Sequence, residues 1–104
     1  MTDVGVEAHL ELIQQDRTTS IRAYVAAVTP RPLRWQLTTT SRTPSGTSNV
    51  TQAGRTQGQP DRPVSEVSVS SGSEGTVVLI VFDGAKEVAC EVIDLGIGKS
   101  AEPN

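Results

Sequence analysis

The chain has 104 residues, a formal net charge of −3, three aromatic residues, one histidine and one cysteine. This length suits a single small domain, and a lone cysteine excludes an internal disulfide and a multi-cysteine metal site. No segment approaches the roughly 20 consecutive apolar residues that cross a bilayer, so the sequence predicts no membrane insertion.

The first part of the chain alternates between apolar and polar residues, which is typical of half-buried strands. This alternation predicts three strands, over residues 4–12, 21–27 and 33–38. The second strand ends at "TPRP", residues 29–32, because proline cannot donate a hydrogen bond to a β-ladder. On the third strand, Trp35 and Leu37 are expected to face inward.

The stretch "SRTPSGTSNVTQAGRTQGQP", residues 41–60, is polar almost throughout, with Val50 and Ala53 as its only apolar side chains apart from proline. Such a segment cannot supply a core of its own. Val50 marks a weak strand, which residues 55–58 could close. Arginines and hydroxyl side chains on an edge strand discourage pairing between copies, so the sequence predicts a soluble edge hairpin here.

The last part of the chain carries three more strands, predicted over residues 66–69, 76–82 and 88–92. The glycine-rich stretch "SSGSEG" at 70–75 indicates a turn, and Asp83-Gly84 is the strongest hairpin signal in the chain. The strand "TVVLIVF" at 76–82 is apolar throughout, so the sequence does not determine which of its residues face the core. If Val78, Ile80 and Phe82 face the core, then Val77, Leu79 and Val81 face outward as an interaction surface.

Seven short strands and no convincing helix predict an all-β, immunoglobulin-like antiparallel β-sandwich. Trp35 is placed where such sandwiches often bury a tryptophan. The two cysteines that bracket this tryptophan in antibody domains are absent, so the prediction concerns architecture only. The single domain is expected to span residues 1–95, followed by a flexible tail at 96–104.

The residue types that carry catalysis are sparse and scattered. His9 alternates with apolar neighbours and is expected to point to solvent. Cys90 alternates with Val88 and Val92 and is expected to be a small buried hydrophobic residue. Because nothing combines into a catalytic arrangement, the sequence predicts a binding protein and not an enzyme, with no cofactor and no metal site.

The charges are unevenly distributed along the chain. Residues 1–16, 17–60 and 61–104 carry −4, +6 and −5, and the middle block contains six arginines and no acid. A basic surface of this kind bears on the choice of partner and not on the fold. The acidic flanks and the lack of aromatic residues among the arginines disfavour nucleic acid as that partner.

Residues 24–58 resemble the central part of the CsgH proteins, the alphaproteobacterial relatives of the curli-assembly chaperone CsgC. The resemblance lies in a strand that ends near Arg34–Leu37, in "SGTSN" at 45–49 and in "TQAG" at 51–54. It implies a periplasmic, monomeric, immunoglobulin-like chaperone that keeps the curli subunit, curlin, from polymerising into amyloid. CsgC carries a Cys-x-Cys pair, whereas this chain has only Cys90, so no redox role is carried over.

The N-terminus "MTDVGVEAHLEL" shows no signal peptide, because it lacks a basic n-region and a continuous apolar stretch. The sequence by itself therefore leaves two possibilities, a cytosolic protein or the mature form of an exported one. The resemblance favours the second possibility and the periplasm.

The arginines of the middle block are the candidate contacts to the curlin client. With Trp35 inward, Arg34 points outward, and Arg42 shares its parity if the strand continues that far. We expect a client-binding cluster of Arg34, Arg42 and Arg55, with Arg22, on the opposite sheet, as a second candidate. Surface contacts of this kind are individually weak and are screened by salt.

Two alternatives to this interpretation stay open at the level of sequence. The client could instead add a strand to an exposed sheet edge. The protein could also be a structural or adhesive immunoglobulin-like module of a surface or pilus, without chaperone activity.

Overall fold

The computed structural model describes residues 5–59 and 61–95, which form seven β-strands. The strands are β1 (Val6–Gln14), β2 (Thr18–Ala27), β3 (Leu33–Thr43), β4 (Gly46–Thr56), β5 (Ser65–Ser70), β6 (Glu74–Asp83) and β7 (Lys86–Leu95). All seven predicted strands are therefore confirmed. The tail expected at 96–104 lies outside the described residues. Within those residues, no helix is long and apolar enough to cross a membrane.

The strands form two antiparallel sheets, which confirms the predicted β-sandwich. The three-stranded sheet has the order β1-β2-β5, and the four-stranded sheet has the order β4-β3-β6-β7. In a constant-type immunoglobulin domain the fourth strand lies beside the fifth. Here β4 pairs with β3 along its whole length instead. As a result, none of the seven strands in the described part of the chain lies beside β5 on the side away from β2.

The core lies between the sheets and is built by residues at every second position of the central strands. The inward-facing residues of both sheets pack against one another in one cluster. This cluster includes Ile21 and Val25 of β2, Trp35 and Leu37 of β3, and Leu79 of β6. Burying an aliphatic side chain of this size contributes about 1.5–3 kcal/mol. The inward phase predicted for Trp35 and Leu37 is confirmed.

The phase of β6 is the opposite of the one considered from the sequence. Val77, Leu79 and Val81 are completely buried, whereas Val78, Ile80 and Phe82 lie on the other face and are partly exposed. The cause is the pairing with β3, which sets Val81 opposite Trp35 and Leu79 opposite Leu37. Because residues paired across strands share a face, the inward phase of β3 fixes the phase of β6.

The prediction that Cys90 is buried is wrong, because Cys90 is exposed. The pairing of β6 with β7 shifts between Val81 and Phe82, whose partners are Ala89 and Glu87. Val88 is the extra residue of this β-bulge, and both Val88 and Ala89 are buried. An extra residue reverses the alternation that follows it, so Cys90 faces outward. His9 is exposed, as predicted.

Cys90 is accessible, yet the pKa of its thiol is raised. Partial desolvation is the main cause, and the carboxylates of Glu87 and Glu91 add to it. A raised pKa leaves less of the reactive thiolate at a given pH. We expect iodoacetamide at pH 8 to alkylate Cys90 completely in the folded protein, but more slowly than in the urea-unfolded chain. Complete protection would contradict the exposure, and an equal or faster rate would contradict the raised pKa.

The polar segment singled out in the sequence forms most of the β3–β4 hairpin. Its two strands pair without interruption from Leu33–Thr56 to Thr43–Gly46. Gly54 lies directly against the indole of Trp35, where an added Cβ would be 2.8 Å from the ring atom Cζ2. β4 is an edge strand without a single buried residue, so the segment serves the surface of the sandwich and not its core.

Candidate functional site

The outward-facing side of the four-stranded sheet, called the outer face below, carries most of the arginines singled out in the sequence. Position 34 and every second position up to 42 point outward from β3, and their partners on β4 and β6 share the same face. The residues on β4 and β3 are mainly threonine, glutamine, asparagine and arginine. The β3–β4 half of the outer face is thus hydrophilic, with arginines at its two ends.

Arg34 and Arg55 form a pair at one end of the outer face. They are directly opposite each other on β3 and β4, which brings the Cβ atoms of such partners to about 4.5–5.5 Å. Both side chains are exposed. Like charges in this position destabilise a sheet, so the pair adds positive field without helping the fold electrostatically.

The guanidinium group of Arg34 is held in a defined place. Its Nη2 atom donates a hydrogen bond of 2.9 Å to the carbonyl oxygen of Gly84. Its Cζ atom lies 5.2 Å from the centre of the Phe82 ring, within the range of a cation–π contact. Together with Arg55 it lines an open groove of about 560 Å³ that also includes Pro32 and Gln57. The groove has room for a side chain of a partner.

No carboxylate neutralises the arginine pair within residues 5–59 and 61–95. Asp83 follows Phe82 at this end of the sheet, and its Oδ2 atom lies 3.4 Å from Nε of Arg31. Neither Arg34 nor Arg55 makes an ion pair in that part of the chain. The pair therefore presents two guanidinium groups that can donate bidentate hydrogen bonds to an external carboxylate.

Arg42 lies on the outer face, as predicted, but at its other end. Arg42 lies eight positions after Arg34 on the same strand, which corresponds to about 26 Å. Its partner across β6 is Glu74, and both line a separate groove. The structure thus brings Arg34 and Arg55 together and leaves Arg42 apart, beside an acid.

Arg22 lies on the three-stranded sheet, on the opposite side of the sandwich. Its Nε atom is 3.5 Å from Oε2 of Glu66. A hydrogen bond with Tyr24 and the charge of Glu66 raise its pKa further above the ordinary value. The same surface has a groove lined by Glu7 and Glu11. Arg22 is therefore engaged by neighbours in an acidic setting, unlike the arginine pair.

The outer face carries an apolar stripe that is formed by other residues than those considered from the sequence. It consists of Val78, Ile80 and Phe82 on β6 and of Val92 on β7, which is 55% exposed. The stripe borders the polar half, because Phe82 is paired with Arg34 and Ile80 with Gln36. The stripe could have been predicted from Trp35, because a residue of β6 paired with the inward-facing Trp35 must also face inward, which turns its neighbours outward.

Comparisons with known proteins place the fold. It is similar to the solution structure of CsgH from R. palustris, with a TM-score of 0.68 and 17% sequence identity, over 95% of this chain and 99% of that one. It is also similar to the E. coli curli protein CsgC, with a TM-score of 0.63 and 20% identity, over 84% and 96% of the two chains. No family model and no curated protein matches the sequence. The resemblance indicated by the sequence motifs is thus confirmed for the fold.

Proposed function

We propose that this chain, which shares its fold with CsgH and CsgC, is a periplasmic chaperone-like inhibitor of curlin polymerisation. In this proposal it acts as a monomer and meets the unfolded client through weak electrostatic contacts. The observation that carries the mechanism is the Arg34–Arg55 pair, two exposed guanidinium groups without a compensating carboxylate in the described part of the chain.

Weak contacts suit an inhibitor that must release its client. An exposed ion pair contributes about 0–1 kcal/mol, so two arginines hold an acidic side chain for only a short time. The positive field of the pair speeds the encounter with an acidic client, and its two donors orient a carboxylate. Neighbouring threonine and amide groups on the outer face add hydrogen bonds to a polar chain. Frequent, short contacts of this kind delay nucleation without forming a stable complex.

The direct test is a fibrillation assay on purified curlin with increasing amounts of this protein. We expect a longer lag time at substoichiometric amounts, and we expect the lag ratio with and without the protein to approach one at high salt. The reason is that the Debye length falls from about 10 Å at 0.1 M salt to about 3 Å at 1 M. Using the ratio at each salt concentration removes the effect of salt on curlin itself.

An unchanged lag time at every protein concentration would refute the proposed function. A lag extension that persists in full at high salt would refute the electrostatic mechanism alone. Stable self-association without any effect on fibrils would instead favour the structural or adhesive module.

A further inference from the structure

The sandwich is closed on one side and open on the other. On the closed side, β1 packs against β7 and β6. On the open side lie two edge strands, β4 of the four-stranded sheet and β5 of the three-stranded sheet. A side-chain hydrogen bond from Ser65 to Gln52 links them at one end. A cleft of about 280 Å³, called the β4–β5 cleft below, is lined by residues of these two edge strands, by inward-facing residues of β3 and by Ser73.

Among the residues that the structure describes, those lining the β4–β5 cleft carry no charged side chain. It consists of hydroxyl residues and valines, among them Thr39, Ser41, Val50, Val67, Val69 and Ser73. A charged group in this cleft would lose water without gaining a counter-charge. The chemistry of the lining therefore selects an uncharged occupant that offers small apolar groups and hydrogen-bonding groups.

Two residues show that the interior is incomplete at this place. Val50 is paired with Thr39 and faces inward like it, yet Val50 is 43% exposed because no strand of the described residues covers it. Thr39 itself is only 3% exposed, and its hydroxyl oxygen has no hydrogen-bond partner within residues 5–59 and 61–95. Buried hydroxyl groups in native proteins normally have such a partner. The exposed side chain of Val50 and the buried hydroxyl group of Thr39 both line the β4–β5 cleft.

We propose that the β4–β5 cleft binds an extended, uncharged segment of a partner polypeptide, which pairs with the free edge of β5. This inference deepens the proposed function and rests on it where the partner is taken to be the curlin client. β5 spans six residues, so it can pair with a strand of about 20 Å. Alternate side chains of that strand would cover Val50, Val67 and Val69, and the others would face solvent.

This mode of binding fits an amyloid-forming partner. Segments that form cross-β structure have high β-propensity and low net charge, which are the properties that the cleft selects. A strand held on the edge of β5 has its backbone groups occupied on one side. It is thereby withdrawn from the growing fibril for as long as the arginine pair keeps the same chain nearby, because the cleft alone binds too weakly to delay fibrillation. The delay therefore keeps the salt dependence of the arginine contacts.

The test uses the ¹⁵N-labelled full chain and a capped octapeptide in which valine alternates with serine and glutamine. We expect chemical-shift changes along β5 and around Val50 of β4, without changes around Val92 on the outer face. Because peptide and cleft are uncharged, the Kd should change by less than about twofold between low and high salt.

Matched substitutions localise the site. Val50→Lys places a charge in the cleft and should weaken binding about tenfold or more. Val92→Lys places the same charge on another exposed valine of the same sheet, outside the cleft, and should change the Kd by less than about twofold. Val50→Ile keeps the apolar surface and should preserve binding, which separates loss of the site from loss of the fold.

Several outcomes would overturn the inference. These are the absence of any shift change, shift changes confined to the outer face, and equal losses in Val50→Lys and Val92→Lys. Each of them leaves the salt-dependent fibrillation delay untouched, so the cleft can fail while the proposed function stands. Conversely, peptide binding without any fibrillation delay would refute the proposed function and keep the cleft.

Discussion

Replacing Arg55 by glutamate should remove most of the delay in curlin fibrillation while leaving the fold at least as stable. The new carboxylate is expected to lie directly opposite Arg34 and to neutralise it, so one substitution changes the local charge of the pair from +2 to zero. An opposite-charge pair across two strands contributes about 0.2–1 kcal/mol, whereas a like-charge pair is destabilising. Activity and stability should therefore move in opposite directions, which a general loss of structure cannot produce.

The control for this experiment is Arg17→Glu, which changes the net charge of the chain by the same amount. Arg17 is exposed and lies in the turn between β1 and β2. We expect the control to keep most of the delay, because it leaves the arginine pair intact. Lag times at low salt and guanidinium unfolding curves measure both effects. Equal losses of activity in the two variants would show that net charge, and not the pair, governs inhibition.

Gly75→Ala should cause the largest loss of stability among single substitutions to alanine outside the core. Gly75 has a φ of +148°, a conformation that favours glycine, and an added Cβ would lie 1.8 Å from the carbonyl oxygen of Thr40. The strained backbone costs about 1–3 kcal/mol, and overpacking between β3 and β6 costs a similar amount. A total of about 4 kcal/mol is a large part of the 5–15 kcal/mol that stabilise a typical domain.

Gly46→Ala is the matched control, because Gly46 has the same φ of +148°, but apart from its own chain neighbours no atom of the described residues lies within 4 Å of an added Cβ. We expect it to lose only the backbone term, about 1–3 kcal/mol. The chain has a single tryptophan, buried in the core, so its fluorescence can follow denaturant unfolding in both variants. Equal losses would mean that β3 and β6 separate freely at Thr40, contrary to the packing described.

The strands could be predicted from sequence because most of them are half-buried and therefore alternate. β6 is apolar on both faces, and alternation carries no phase information in such a run. Its phase depends on the pairing with Trp35 and Leu37 of β3, a tertiary contact. The prediction for Cys90 failed for a related reason. The β-bulge adds Val88 to the strand, so Cys90 no longer faces the same side as Val88 although the two are two positions apart.

The site was predicted in part. Parity along β3 placed Arg34 and Arg42 on one face, and both Arg34 and Arg55 lie nine residues from the hairpin turn at Thr43–Gly46. Counting outward from that turn would have paired them. The β4–β5 cleft could not be found in this way, because it depends on which sheet β4 joins. Because β4 has polar side chains on both faces, its sequence is compatible with an edge strand of either sheet and does not indicate which sheet it joins.

The contact between Gly54 and Trp35 has a consequence for the β3–β4 hairpin as a whole. A strand with polar residues on both faces gains little from one alignment over another, so its partner could slide along it. A slide by two positions would bring Gln52 or Thr56 opposite the indole, where even a single added carbon meets the ring at 2.8 Å. The absence of a side chain at Gly54 thus fixes the register of the hairpin and keeps the guanidinium groups of Arg34 and Arg55 side by side.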